Sequence, residues 1–294
     1  MIQNFYIHIG TYKTGTTSIQ QYLLENESEL KLKDITLIDR DRDLPEVSKW
    51  LFPKWYDIED EAKQESKAIQ QILTLKEKVI SCENIIYSEE NFTDVLSVEE
   101  QLSRAKKLKF LIDIYSAKLT HIHVFYRDPQ SLLKSWYKQL LRNRGFNYPN
   151  FQSFIHQNLN SIVKACNWKD YTKMLENTIG NVTAHQFELA SQYGLSDYFL
   201  SNILHISLNS NQEKKYNESL PDLKIRLMEM VSDLAINGKL SPKNVGWLKK
   251  VICDFETTDM MNKTMYTLTE ESEGEIYSLS KKTKQYFASI GQKN

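Results

Sequence analysis

The chain has 294 residues, of which 41% are hydrophobic, 26% charged and 11% aromatic, the proportions of a folded globular protein and not of a disordered segment. Its 37 basic and 38 acidic residues leave a formal charge of −1, so no overall field recruits nucleic acid or an anionic membrane, and any anion site must be local. Nine glycines and six prolines, about 5% together against a usual roughly 12%, argue against a turn-dense all-β fold and for a helix-rich α/β one.

A run of β-formers, Phe5 to Ile9, ends at Gly10 and passes through a Gly/Thr turn into Thr17 to Leu24, where Ile19, Leu23 and Leu24 fall at helical spacing. Asp34 to Ile38 reads as a second short strand. The charged, proline-containing stretch behind it holds Trp50, Phe52, Trp55 and Tyr56, either a packed loop or a ligand wall. An amphipathic helix over Ile58 to Lys78 leads to a buried strand, Asn84 to Ser88, that ends at Glu89 and Glu90. Val98 to Ser116 reads as a helix, His121 to Tyr126 as a strand, and Ser131 to Leu141 as the helix after Asp128-Pro129. Two helices within Tyr148 to Asn177 precede a last strand, Val182 to Phe187. Leu195 to Leu204, Leu220 to Ile236 and Lys239 to Phe255 carry further helical patterns, and the tail after Thr264 is weakly patterned. The β-α alternation predicts a parallel sheet with right-handed crossovers.

Cys82, Cys166 and Cys253 lie far apart without CxxC spacing, which speaks against a disulfide framework or structural zinc and fits a reducing cytoplasm. No stretch approaches the roughly 18 apolar residues of a membrane span, and no signal-peptide pattern opens the chain. The N-x-S/T triplets at Asn26, Asn91, Asn181, Asn217 and Asn262 are accordingly read as chance.

Gly10-Thr-Tyr-Lys13-Thr-Gly15-Thr16-Thr17 has GxxxxG spacing between a strand and a helix. In that context glycines let backbone N–H groups converge on phosphate oxygens, and the helix N-terminus adds roughly half a positive charge. The lysine of an ordinary ATPase loop would follow the second glycine; Thr16 stands there, and Lys13 lies inside the loop instead. The plainer alternative is a glycine turn capped by Thr16 or Thr17. A three-layer α/β/α fold of the P-loop type follows, with a central parallel sheet in residues 1–205 and additional C-terminal helices in 206–294, all expected to form a single domain.

The segment HIGTYKTGTTSIQ resembles the 5′-phosphosulfate loop of sulfotransferases that use 3′-phosphoadenosine 5′-phosphosulfate (PAPS). In that family the loop lysine touches the oxygen bridging sulfuryl group and 5′-phosphate, and the Gly-Thr-Thr run holds the phosphate. The resemblance assigns those roles to Lys13, Gly15, Thr16 and Thr17, and it brings Tyr12, Thr14 and Ser18 into the donor-binding set. Animal members carry proline and tryptophan where Tyr12 and Ser18 stand here. YRDPQSLLKSWYKQ, from Tyr126, resembles the family's 3′-phosphate motif, in which an arginine after a strand and a serine eight residues later grip the ribose phosphate. Arg127 and Ser135 keep that spacing. Independently, an arginine leaving a strand end and a serine two helical turns on can reach one anion. The plainer alternative is an Arg-Asp pair capping a helix with Pro129 in its first turn.

A base must take the acceptor's proton. Relatives carry Ser-x-Glu or Ser-Glu at the end of the strand that here runs from Asn84 to Ser88; alignment by the strand points to Glu89, with Glu90 the candidate if the strand has already ended. Two solvated acids are the bland alternative. His8, before the loop glycine, is a further catalytic candidate beside a core role. His121 and His123 share a strand face but lack a third metal ligand, and no metal is expected. Trp50, Trp55, Tyr56 and Tyr193 are candidate faces for adenine. The resemblance spans Phe5 to about Leu227. It implies transfer of a sulfuryl group from PAPS, leaving 3′,5′-bisphosphoadenosine (PAP), to an acceptor hydroxyl on a carbohydrate or glycolipid. A deviant P-loop kinase using ATP and magnesium, or a non-catalytic module binding PAPS or PAP, are the alternatives.

Overall fold

The computed structural model describes residues 2, 4–11, 14–53, 56–90, 92, 97–142, 148–208, 222–254 and 270–291. Among them, strands β1 (Asn4–Gly10), β2 (Ile35–Ile38), β3 (Asn84–Glu89), β4 (Leu119–Tyr126) and β5 (Val182–Gln186) form one sheet in the order β2-β3-β1-β4-β5. Every pairing is parallel. The connection from β1 runs one way, to β2, and all later ones run back the other way. The strand order therefore switches at β1, and ligands of open α/β sheets sit outside the carboxyl ends of strands at such a point.

Helices α1 (Thr16–Glu25) and α2 (Glu27–Leu32) join β1 to β2, α3 (Pro45–Leu51) and α4 (Glu61–Val79) join β2 to β3, and α5 (Val98–Tyr115) joins β3 to β4. Between β4 and β5 run α6 (Pro129–Arg142), α7 (Phe151–Ala165) and α8 (Trp168–Ile179). Behind β5 come α9 (Phe187–Gln192), α10 (Leu195–Phe199) with a π-helical turn at Leu200–Leu204, α11 (Asp222–Ile236), α12 (Pro242–Asp254) and α13 (Glu270–Gly291). Start signals are local: the Asp60 side chain accepts from Lys63 N at 2.9 Å to open α4, and Asn150 from Ser153 N at 2.9 Å to open α7.

Alternation along the strands builds two cores, one on each side of the sheet. Ile35, Leu37, Ile86 and Phe125 pack against Ile19 and Leu23 of α1 and Phe199 of α10. Phe5, Ile7, Ile9 and Val124 face the opposite core, which takes in α3 to α8 and reaches α11 and α13. The result is a three-layer α/β/α fold of the P-loop type with additional C-terminal helices. Each fully buried aliphatic or aromatic side chain in these layers contributes about 1.5–3 kcal/mol.

Besides the short helices α2 and α9, which the sequence pattern did not signal, two stretches differ from the sequence expectation. Trp50 belongs to α3, where an irregular stretch was expected, and with Phe52 it is core, 5% and 2% exposed, so neither walls a ligand. Tyr56 and Tyr193 are exposed, and Trp55 lies outside the described residues. The weakly patterned tail forms α13, which packs on α6, α7 and α8. Its inward positions include Ser280 and Thr283 beside Ile276 and Leu279, so small polar residues interrupt the apolar stripe that periodicity detects.

Candidate active site

The loop after β1 is fixed by its own hydroxyls. Thr11 Oγ1 donates to Phe125 O at 2.9 Å, and Thr14 Oγ1 donates to Thr11 O at 2.7 Å. Gly15, with φ of 68°, turns the chain in the left-handed region and precedes α1 without any side-chain cap. The capped-turn alternative is thus not what forms. Thr16 is 4% exposed and turned back toward Gly10, and its Oγ1 is buried without a hydrogen-bond partner among the described residues. Thr17 is exposed and Ser18 half-buried, so the open side of the loop is the first turn of α1; Ser18 N and Ile19 N already donate to Gly15 O at 2.9 and 3.2 Å, which leaves the N–H groups of Thr16 and Thr17 to face an anion. That arrangement fits an anion. Tyr12 and Lys13 lie outside the described residues.

Gly10 pairs with Phe125, so the loop and Arg127 leave adjacent strands side by side. Arg127 is half-buried. Its Nε donates to Ser131 Oγ at 3.3 Å, its guanidinium lies 5.0 Å over the Phe187 ring, and its carbonyl accepts from Trp168 Nε1 at 2.7 Å. Burial pushes its pKa down, against the opposing charges of Glu188 and Asp128. Asp128 Oδ1 accepts from Gln130 N at 3.1 Å and Ser131 N at 3.2 Å, so the expected helix cap forms as well. Ser135 is buried one turn beyond Ser131 on the same helix face. Ser131 and Glu188 were not picked out from sequence; Glu188 Oε1 accepts from Asp128 N at 2.9 Å across 60 residues, a contact only the fold creates.

At the end of β3 the strand stops at Glu89. Glu89 is 0% exposed: its Oε1 accepts from Arg40 Nη1 at 2.8 Å, and the Tyr87 hydroxyl donates to its Oε2 at 2.7 Å. Burial pushes its carboxyl up to about 7, while Arg40 and the Tyr87 hydrogen bond pull it down. Glu90, with 22% of its side chain exposed, takes Arg40 Nη2 at 3.0 Å. Its other oxygen accepts from Thr17 Oγ1 of α1 at 3.0 Å. The acids are not freely solvated, and Arg40, which the sequence offered only as part of a charged run after β2, joins them.

His8 lies under the loop, not in it. It is 0% exposed, with Nδ1 2.8 Å from Ser88 Oγ and its ring edge-on to Phe125 and Phe199. Burial, together with His123 and His185, pushes its pKa down to about 3. His123 Nδ1 lies 3.0 Å from His185 Nε2, and among the described residues no group of three or more His, Cys, Asp or Glu is arranged to hold a metal ion. No helix among them is long and apolar enough to cross a membrane.

No protein-family model and no curated protein matches the chain. Among solved structures it is similar to a sulfotransferase from Alicyclobacillus acidocaldarius, with 16% identity and a TM-score of 0.43, covering 83% of this chain and 98% of that one. It is also similar to a structure of the PezAT chromosomal toxin-antitoxin system of Streptococcus pneumoniae, with 14% identity and a TM-score of 0.31, covering 81% and 88%. Neither likeness is close enough to decide an activity, which has to be inferred from the residues themselves.

Proposed function

We propose that the chain, acting as a single domain, is a sulfotransferase that takes the sulfuryl group from PAPS and delivers it to a hydroxyl of a carbohydrate or glycolipid. What carries the proposal is an uncapped helix N-terminus after β1 and a half-buried arginine after β4, on strands paired side by side. That spacing suits a donor with phosphate on both sides of one ribose.

In this reading the acceptor oxygen attacks sulfur opposite the oxygen that bridges to the 5′-phosphate. The new O–S bond forms as the bridging S–O bond breaks, and the electron pair of the broken bond stays on the 5′-phosphate of PAP. Lys13 and the amides opening α1 stabilise the charge growing there. Arg127, Ser131 and Ser135 hold the 3′-phosphate. Glu90 takes the acceptor's proton: both carboxylates have both oxygens engaged, but Glu89 is enclosed, whereas Glu90 is partly open and touches α1. Ser88-Glu89-Glu90 then spells the Ser-x-Glu form of the family element. His8, buried and neutral, serves packing.

Calorimetry in EDTA tests the donor. PAP should bind more tightly than AMP by about 2 kcal/mol, roughly 30-fold, the scale of charge-assisted hydrogen bonds to the 3′-phosphate. Arg127→Ala should remove most of that preference and leave AMP affinity in place. Equal binding of the two nucleotides, or tight ATP binding that requires magnesium, would promote the kinase reading. Tight PAP binding with no turnover of PAPS on a broad glycan panel would point to a non-catalytic module.

A further inference from the structure

Arg40 is the side chain that ties the two carboxylates to the loop. β2 pairs with β3 through Ile38 and Tyr87, so Arg40, two residues further, stands level with Glu89. Its backbone is held in a self-bonded turn, in which Asp43 N donates to Asp39 O at 2.8 Å, Leu44 N to Arg40 O at 3.2 Å, and Arg42 N to Asp39 Oδ1 at 2.7 Å. The neighbouring acids are taken up elsewhere: Arg42 pairs with Glu27 at 2.9 Å and with Asp43 at 3.0 Å. Asp41, 3.4 Å from Arg40 Nε, is solvent-exposed and weakly coupled. Arg40 is left to serve Glu89 and Glu90, one terminal nitrogen to each.

The result is a chain of contacts from the core to the phosphate loop, running Tyr87, Glu89, Arg40, Glu90, Thr17. Adjacent carboxylates repel, and Arg40 opposes the rise that burial imposes on the Glu89 carboxyl, so losing this shared cation would push Glu89 up further and free Glu90 from its partner.

We propose that Arg40 is a positioning residue of this site: by bridging Glu89 and Glu90 it holds the Glu90 carboxylate directed at Thr17 on the rim of the phosphate loop. The role rests on reading Glu90 as the proton acceptor. Among the described residues the groups that meet the pair are Arg40 after β2, Tyr87 on β3 and Thr17 on α1, with Asp41 behind Arg40 and Tyr115 on α5 behind Tyr87. Tyr87 and Tyr115 are both pushed up by burial and stay neutral, so Arg40 is the cation among these groups.

Two measurements on Arg40→Met and Arg40→Lys test this. The first is the titration of ¹³C-labelled glutamate carboxyls by NMR, which needs no activity. The pair should titrate on the order of one pH unit or more higher in Arg40→Met, the effect of removing an opposite charge at contact distance. Arg40→Lys, which keeps a charge but not the two-armed geometry, should fall between. The second is the pH profile of PAPS turnover. Its acid limb should move up by the same amount in Arg40→Met, with turnover down roughly tenfold at pH 7 and largely recovered above the limb, and with PAP affinity within about threefold of the parent. Carboxyl titrations unchanged in both variants, or a turnover loss equal at every pH, overturn the role. Should Arg40→Met fail to fold, Arg40→Lys alone decides by the same two criteria. Absence of PAPS turnover in the parent protein overturns the reading of Glu90, and the NMR titration still decides whether Arg40 sets the charge of the pair.

Discussion

Gly10 is where the fold leaves no room for a side chain. A methyl there would lie 1.7 Å from Thr16 Oγ1, 2.9 Å from Thr16 Cβ and 3.2 Å from its Cγ2. Carbon contacts are comfortable at about 3.5–4.0 Å, so roughly 1.5 Å of overlap has to be relieved. Turning Thr16 about χ1 moves Oγ1 but leaves the Cβ contact, and at 4% exposure the side chain has little space to turn into. The start of α1 must therefore back away from the end of β1. Forcing a methyl into a packed site costs about 1–3 kcal/mol, and Gly10→Ala is expected near the top of that range because the obstacle sits on the first residue of a helix. The same displacement carries the α1 amides away from a bound phosphate, so PAP affinity should drop at least about tenfold, in line with the penalty for misplacing a binding group by about 1 Å. Adding Thr16→Ala removes the two atoms at 1.7 and 3.2 Å and keeps the one at 2.9 Å, so the double variant should recover a good part of the loss. Urea unfolding gives the stability and calorimetry the affinity, and the double-mutant cycle isolates the pair. Gly10→Ala within about 0.5 kcal/mol of the parent with unchanged PAP binding would refute the close approach of helix to strand, since that is the range of a surface change.

Two more expectations follow from the geometry. Glu90→Gln should cut turnover by about 10² or more while leaving PAP affinity nearly intact, the usual scale for loss of a general base; a larger turnover loss in Glu89→Gln, with stability preserved, would move the proton transfer to the enclosed carboxylate. The buried imidazoles set an acid limit: His8, His123 and His185 are held to about 3, about 3 and about 4 by burial, below the ordinary value of 6.5, so the unfolded chain binds protons first. Stability they contribute is complete above pH 6.5 and is lost as pH falls toward 4, by up to about 1.4 kcal/mol per histidine per pH unit. Glu89, raised to about 7, gains over part of the same range and offsets roughly one of the three. Urea unfolding should therefore show a net loss of about 2 kcal/mol between pH 7.5 and 5.5, reduced in His185→Gln, and a flat profile would mean the imidazoles are not buried neutral.

The alternation of β-formers and helical spacing already called for a parallel α/β sheet, because a strand buried on both faces and a helix buried on one write different periods into the chain. The GxxxxG turn between strand and helix, and an arginine at the end of β4, were equally legible, since each depends on residues close together in sequence. α13 was not, because Ser280 and Thr283 stand at inward positions where periodicity looks for apolar residues. Nor was the terminus of β3 by which the two acids divide: Glu89 is drawn inward by Tyr87 and Arg40, while Glu90 meets Thr17, 73 residues away. Arg40 with Glu89 and Glu90, Glu188 with Asp128, and Thr16 with Gly10 are decided by strand order and helix approach. A local pattern records which face of an element is buried, but which charges share a site depends on which strand ends the sheet brings side by side.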